Sequence, residues 1–200
     1  MTGKNPPKAT TEEIQEYQRA HIENFKRLFG LGKLSTAGPM SDPGKRRRGI
    51  LILTPPKEIE IPPLFATDPY VAKGFMELEL YPIKVVFGGI NTTNIDPNGI
   101  EENRIVLFNQ VHETKVAHLP ENLAREHEAY LKSGKSVGLA FFAHVTENKG
   151  NLRAIALFRG KDDAAIRAWL DQEPVSKAGF VKAEVIPQWL GKGILSESKQ

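Results

Sequence analysis

The chain has 200 residues and a net charge of +3, with 27 basic and 24 acidic side chains, a near balance that gives no indication of a nucleic-acid partner. It has no cysteine, which excludes disulfides, thiolate metal sites and cysteine nucleophiles. It has no apolar run of about 18 residues and no apolar leader segment at its start, so we expect no membrane span and a cytoplasmic location.

The first predicted element is a helix that begins near residue 10. Thr10 and Glu13 have the spacing of a capping box, which is typical of a helix start. Side chains that fit one buried face then recur every three or four positions, at Ile14, Tyr17, His21, Phe25 and Leu28. The pattern therefore places His21 on the inward face of the helix.

A hairpin with a long basic tip is predicted next, with strands over residues 34–37 and 49–53. The tip, residues 45–48, reads Lys-Arg-Arg-Arg. It fits either a phosphate or nucleic-acid patch or a solvated hairpin tip. We favour the solvated tip because no aromatic residues alternate with the basic ones.

The rest of the first domain is predicted as a short helix over residues 55–67, the Asp68-Pro69 motif and a strand over residues 75–81. A Gly- and Asn-rich linker follows at residues 89–102. The second domain, residues 103–190, is predicted to contain the remaining elements in this order: a strand at 104–109, a helix at 120–132, a hairpin of strands 137–145 and 152–158, a helix at 164–170 and a strand at 180–186. Residues 191–200 are a polar tail.

The order of these elements predicts the fold class, α+β. Strand, helix, strand, strand, helix, strand is the ferredoxin-like order in the second domain. The first domain, residues 10–88, lacks the first strand, which an alignment on Gly32 and Gly134 would place on residues 2–8, a proline-rich stretch. We therefore expect an exposed edge in this domain that is open to pairing with a second copy of the chain.

The two halves also share identical residues at a constant offset, which favours a duplicated structural unit. Pro69 and Pro174 are 105 positions apart, and each is followed five positions later by a glycine. The same offset pairs identical residues elsewhere: Arg48 with Arg153, Ile50 with Ile155, Phe75 with Phe180, Glu79 with Glu184, and Pro82 with Pro187.

The first half resembles the YCII-related domain family. The resemblance is carried by His21, by Ala-Gly-Pro at 37–39, by Arg48 and by Asp-Pro-Tyr-Val at 68–71 with Gly74. It covers about residues 12–88, and residues 103–190 more faintly as a diverged second copy. The family implies two ferredoxin-like units that form an intrachain dimeric α+β-barrel-like pair.

The resemblance also implies a site. His21 and Asp68 are the candidate catalytic residues, and Tyr70, Pro39 and Asn24 are the candidate substrate-binding residues. Some relatives are thought to act on small cyclic or aromatic compounds. In the second half the His21 position falls on Leu123 and Glu173 replaces the aspartate, so we expect that half to be a structural partner.

Two functions follow from these expectations. The first is a small-molecule enzyme in which a histidine–aspartate dyad transfers a proton, in an isomerase or lyase reaction that needs no cofactor. The second is a non-catalytic ligand-binding or assembly module, in which His21 is a core histidine and Asp68 only caps a helix. His112, His118 and His144 have no metal-ligand spacing, so no metal site is predicted.

Overall fold

The computed structural model describes residues 1–54, 57, 60–93, 95–96, 99–111, 119–147 and 150–195. The chain divides into two compact units, Met1–Leu80 and Tyr81–Gln200. The class is mixed α+β, with one sheet of two strands and one of five. Among the described residues, no helix is both long and apolar enough to cross a membrane.

Unit 1 consists of a long helix, a hairpin and two short helices. The helix α1 covers Thr11–Gly30, and the capping box between Thr10 and Glu13 is present at its start, as predicted. The other elements are, in chain order, β1 (Leu34–Pro39), β2 (Gly49–Leu53), α2 (Ile61–Leu64) and α3 (Pro69–Ala72). The buried core joins helix, hairpin and short helices through Leu28, Leu34, Ile61 and Phe65.

The start of the chain corrects two predictions. Residues 2–8 were predicted not to form a strand. Thr2 nevertheless forms an antiparallel bridge with Met76, and Gly3 N–H donates to the carbonyl of Phe75. Thr2 N–H also donates to the carbonyl of Arg46. Residues 75–81, predicted as a strand, have only this bridge, because the partner segment is short and Pro6 and Pro7 soon follow it.

Unit 2 is built on a five-stranded sheet in the order β3-β5-β6-β4-β7, with every neighbouring pair antiparallel. Its strands are β3 (Ile83–Gly88), β4 (Ile100–Gln110), β5 (Leu139–Val145), β6 (Leu152–Phe158) and β7 (Val181–Gly191). Its helices are α4 (Glu121–Leu131), a 3₁₀ helix (Lys132–Val137), α5 (Asp163–Gln172) and α6 (Pro174–Lys177).

The predicted elements of the second half are all found, with β4 and β7 longer than predicted, β5 shorter and one strand added. Asp162 accepts the N–H of Ala165, so it caps α5. Residues 83–88, which the prediction placed in the first domain, form β3 and pair with β5, and this pairing assigns them to unit 2. Trp169 is buried in the core of this unit.

The hairpins of the two units have the same pairing pattern. In unit 1 Ala37 pairs with Leu51, and in unit 2 Phe142 pairs with Ala156. Each of these partners lies 105 positions after its counterpart. The register also shifts at equivalent places, between Leu34 and Thr36 in unit 1 and between Leu139 and Phe141 in unit 2. The hairpins therefore match in register and in the position of their irregularity.

Candidate functional site: two histidine–carboxylate pairs

Asp68 sits at the start of α3 with its side chain fully buried. Pro69 occupies the first helical position, where its fixed φ suits a helix and its missing N–H is not needed. One carboxylate oxygen, Oδ1, accepts the N–H of Tyr70 at 3.0 Å, which makes Asp68 the N-cap of α3. The other oxygen is left free for a second partner.

That partner is His21, whose Nδ1 lies 2.6 Å from Oδ2 of Asp68. An ionised carboxylate has only acceptors, so Nδ1 donates its proton to Asp68 and the lone pair of a neutral ring is on Nε2. The His21 side chain keeps 15 % of its surface exposed. Within the described residues, no hydrogen bond is made by Nε2. The structure therefore brings together the two residues that the sequence singled out.

Aromatic rings surround the His21 imidazole. The ring centroid of Phe25 lies 4.2 Å away, and that of Tyr70 lies 5.2 Å away in an edge-on arrangement. Tyr17 stacks in turn on the edge of Tyr70 and on Phe75. The polar pair is thus held beside an apolar wall, a setting that suits a ring-shaped or otherwise apolar ligand.

The phenol of Tyr70 is engaged within the protein. Its hydroxyl lies 3.2 Å from Oε1 of Gln18 and 3.3 Å from the carbonyl of Ile14, and the residue is 7 % exposed. Burial raises the pKa of Tyr70, and the charge of Asp68 adds to this while Arg48 opposes it. Tyr70 therefore stays neutral and acts as part of the wall around His21.

The other two predicted binding residues are placed less favourably for a ligand. Asn24 is buried, donates to the carbonyl of Leu64 and accepts two hydrogen bonds from the Arg27 guanidinium, so it ties α1 to the end of α2. Pro39 ends β1 and is exposed.

Unit 2 contains a second pair, which corrects the expectation that its acid lacks a histidine. Nδ1 of His127 lies 2.7 Å from Oε1 of Glu173. Glu173 is the N-cap of α6, where it accepts the N–H groups of Val175 and Ser176, and Pro174 occupies the first helical position. As in unit 1, the acid caps a short helix and binds Nδ1 of a histidine, but Glu173 accepts two backbone N–H groups where Asp68 accepts one.

The sequence alignment missed this pair because it was anchored on Gly32 and Gly134. Gly134 lies in the 3₁₀ helix that follows α4, whereas Gly32 comes directly after α1, so the two glycines are not equivalent. The paired residues of the two hairpins are 105 positions apart. The same offset places the counterpart of His21 at position 126, one residue before His127. The acids, Asp68 and Glu173, lie at the 105 offset itself.

The second pair is closed off from solvent. The side chain of His127 is 4 % exposed and that of Glu173 is fully buried. Nε2 of His127 is buried, and no described residue forms a hydrogen bond with it. The rings of Phe142 and His144 lie at centroid distances of 5.1 Å and 5.2 Å from it. His144 stands at the position that Pro39 occupies in the other hairpin.

The charges in unit 2 follow from this burial. Burial acts to raise the pKa of Glu173, but the hydrogen bonds from His127 and from two backbone N–H groups hold it below its ordinary value of 4.5. Burial, with the nearby charge of His127, lowers the pKa of His144 from 6.5 to about 4. His144 is therefore neutral near pH 7, while Glu173 is ionised.

Metal binding finds no support in the described part of the chain, where no group of three or more histidine, aspartate or glutamate side chains is placed to hold an ion. His112 and His118, weighed above as metal ligands with His144, lie outside the described residues.

Comparisons with known proteins add no relative. No family model matches the chain, and neither the curated proteins nor the solved structures give a match.

Proposed function

We propose that the chain is a small-molecule enzyme in which His21 transfers a proton and Asp68 holds the ring in the reactive tautomer. The observation that carries the proposal is the 2.6 Å contact between Nδ1 of His21 and Oδ2 of Asp68, in a pair whose histidine keeps some exposure. The reaction class is isomerisation or elimination on a small cyclic or aromatic compound.

The chemistry uses Nε2 of His21 as the base. Nε2 takes a proton from a carbon next to a carbonyl or similar group, and the electron pair left behind moves into that group. The resulting imidazolium is stabilised by the negative charge of Asp68, which lies in hydrogen-bond contact with it. Return of the proton at another carbon gives an isomer, and loss of a leaving group from the neighbouring carbon gives elimination.

The surroundings of His21 favour a substrate with an apolar ring. Phe25 and Tyr70 offer ring faces and edges at 4.2 Å and 5.2 Å from the imidazole. Water held against such a wall makes few hydrogen bonds, so an apolar ring that displaces it gains free energy.

We also propose that both units are variants of one ferredoxin-like βαββαβ unit related to the YCII-related domain family. In unit 2 the strands β4, β5, β6 and β7 stand in the order β5-β6-β4-β7, which agrees with that fold. The shared hairpin register and the two matching histidine–carboxylate pairs support a common origin. The barrel-like pair of units and a homo-oligomer through an open edge stay predictions.

A second candidate function is the ligand-binding or assembly module without catalysis. It is favoured by one observation: each carboxylate also caps a helix, and the pair in unit 2 is closed to solvent. On this interpretation both pairs are purely structural and only fix a short helix to a long one.

Deuterium exchange distinguishes the two functions. The protein is incubated in D₂O with a panel of small cyclic ketones, lactones and phenols, and carbon-bound protons are followed by ¹H NMR. The proposal predicts that at least one compound exchanges a proton for deuterium, because proton removal from carbon is the common step. We expect His21→Gln to lower that rate by at least about 100-fold, the scale of general acid–base catalysis.

The matched control is His127→Gln, which makes the same change at the closed pair and should leave the exchange rate within about twofold of the native rate. Saturable binding of a panel compound without exchange would favour the binding module. Equal loss of rate in both variants would show that the effect comes from stability and contradict the assigned role of His21.

A further inference from the structure

A groove on the surface of unit 2 carries a feature that the histidine–carboxylate pairs do not explain. It has a volume of about 460 Å³ and lies where α5, α6 and the strand β7 meet. Volumes of roughly 300–1,000 Å³ are usual for small-molecule sites. All of its lining residues belong to unit 2.

The floor of the groove is apolar. Val181, Ala183 and Val185 alternate along β7 and face the helices, and Leu170 of α5 adds to them. β7 is an edge strand of the sheet, and the described residues place no further strand beside it. Val111, which also lines the groove, is 46 % exposed although it is apolar.

The rim of the groove is positively charged. Arg167 comes from α5 and Lys177 from α6, so two elements each bring one cation to the groove, whereas the side chain of Lys182 alternates to the opposite face of β7. One acid, Asp171, also lines it. In the described part of the chain none of these four side chains takes part in an ion pair, and Lys177 donates only to the side-chain oxygen of Gln172.

We propose that this groove binds a small amphipathic anion, a carboxylate attached to an apolar chain or ring. The apolar part would lie on Leu170 and the three β7 side chains, and the carboxylate would face Arg167 and Lys177. An apolar floor alone would accept any apolar compound, but two cations against one acid select for negative charge. An arginine also suits a carboxylate because its fork donates two parallel hydrogen bonds.

The groove is independent of the site proposed for catalysis, which lies in unit 1. It shares one wall with the closed pair, because Ser176, which lines the groove, donates its N–H to Glu173. The amide of Ser176 is therefore a local reporter of binding.

The test uses octanoate on the full chain, followed by ¹H–¹⁵N amide spectra and by calorimetry. We expect saturable shifts at Ser176, Lys177 and Lys182, with the amides around His21 unchanged. Octanol lacks the charge and acetate lacks the chain, so each should bind at least about tenfold more weakly than octanoate. Raising the salt from 20 to 200 mM should weaken octanoate binding, because the Debye length falls below about 10 Å over this range.

The double variant Arg167→Gln, Lys177→Gln is expected to lose at least about tenfold in octanoate affinity. Its matched control is Arg125→Gln, Lys132→Gln, which removes two exposed cations of the same unit outside the groove and should bind like the native protein. Comparison of octanoate with octanol and acetate on the native protein does not depend on any variant folding.

Three outcomes would overturn the proposal. One is an absence of shifts at the groove, and another is binding of octanol as tight as that of octanoate. The third is a set of groove shifts that depends on protein concentration without ligand, since that result would assign the groove to a second copy of the chain.

Discussion

The histidine–carboxylate pair of unit 1 and that of unit 2 share the histidine contact and the helix cap but differ in their access to solvent. In each, an acid caps a four-residue helix that begins with proline and holds Nδ1 of a histidine on an earlier, longer helix. The side chain of His21 is 15 % exposed, whereas that of His127 is 4 % exposed, with Nε2 buried and without a hydrogen-bond partner among the described residues.

The difference separates the structural role of the shared contacts from the solvent access that catalysis requires. Both pairs fix a short helix to a long one, and this role needs no access to solvent. Proton transfer needs a nitrogen that a substrate can reach, and His144 and Phe142 lie beside the ring in unit 2. The same motif is therefore compatible with a site in one unit and with a purely structural strut in the other.

Removal of the histidines should give the largest effect and should separate the two pairs. His127→Ala leaves the buried charge of Glu173 without its partner and opens a cavity, so we expect unit 2 to lose about 4 kcal/mol of unfolding free energy. His21→Ala should cost unit 1 about 2 kcal/mol, because water can reach the vacated space.

Amide hydrogen exchange measures the two losses separately, since it reports the opening free energy of each unit. The exchange of the other unit serves as the internal control for each variant. Equal losses in the two units would contradict the difference in access.

Acidification should destabilise unit 2 through His144, a residue without a counterpart in unit 1. Its pKa of about 4 lies below the ordinary 6.5, so the unfolded chain takes up the proton first. Stability is therefore complete above pH 6.5 and falls between pH 6.5 and 4. We expect a loss of about 2 kcal/mol after allowance for partial exposure.

The check is the unfolding free energy of unit 2 as a function of pH in the native protein and in His144→Gln. The variant should be flat between pH 6.5 and 5. Glu173 acts at lower pH, since its pKa lies below 4.5 and its contribution is lost only as pH falls through that lowered value. A variant with the same slope as the native protein would rule out His144 as the cause.

A smaller loss of unfolding free energy, equal in the two units, should come from replacing the glycine that follows each short helix. Gly74 and Gly179 follow the short helices at φ +79° and +77°, and an added Cβ would meet no atom within 4 Å at either position. Alanine in this left-handed region costs about 1 kcal/mol, so Gly74→Ala and Gly179→Ala should each destabilise their unit by that amount.

Denaturant unfolding of the two variants measures these costs. Gly30→Ala is the matched control, since Gly30 has open space for a Cβ and no positive φ, and it should cost nothing. A cost in one unit more than twice that in the other would show that the two turns are not equivalent.

Much of the fold could be predicted from local patterns. The capping box of Thr10 and Glu13 and the hairpin strands depend on neighbours in sequence, and all are present. The strand predicted at 75–81 was wrong because a strand also needs a partner, and among the described residues this segment has only the isolated bridge of Met76 with Thr2. Strand β3 could be assigned only from its pairing with β5 in the structure.

The candidate site was predicted in part for a similar reason. The helix pattern placed His21 on the inward face of α1, and the resemblance to the YCII-related domain family is what implied its pairing with Asp68. His127 was passed over because equivalence was judged from glycines near the helix ends, where a 3₁₀ helix changes the spacing. The 105 offset of the hairpins was already in the sequence and would have placed His127 against Glu173 within one residue.

The most direct measurement is the tautomer of His21, read from long-range ¹H–¹⁵N correlations of its imidazole at a pH where the ring is neutral. The structure predicts the proton on Nδ1, donated to Asp68, with Nε2 free to accept one. In Asp68→Asn the amide can donate to Nδ1, so the proton should move to Nε2. A native His21 that carries its proton on Nε2 would contradict the proposed role of the pair in proton transfer.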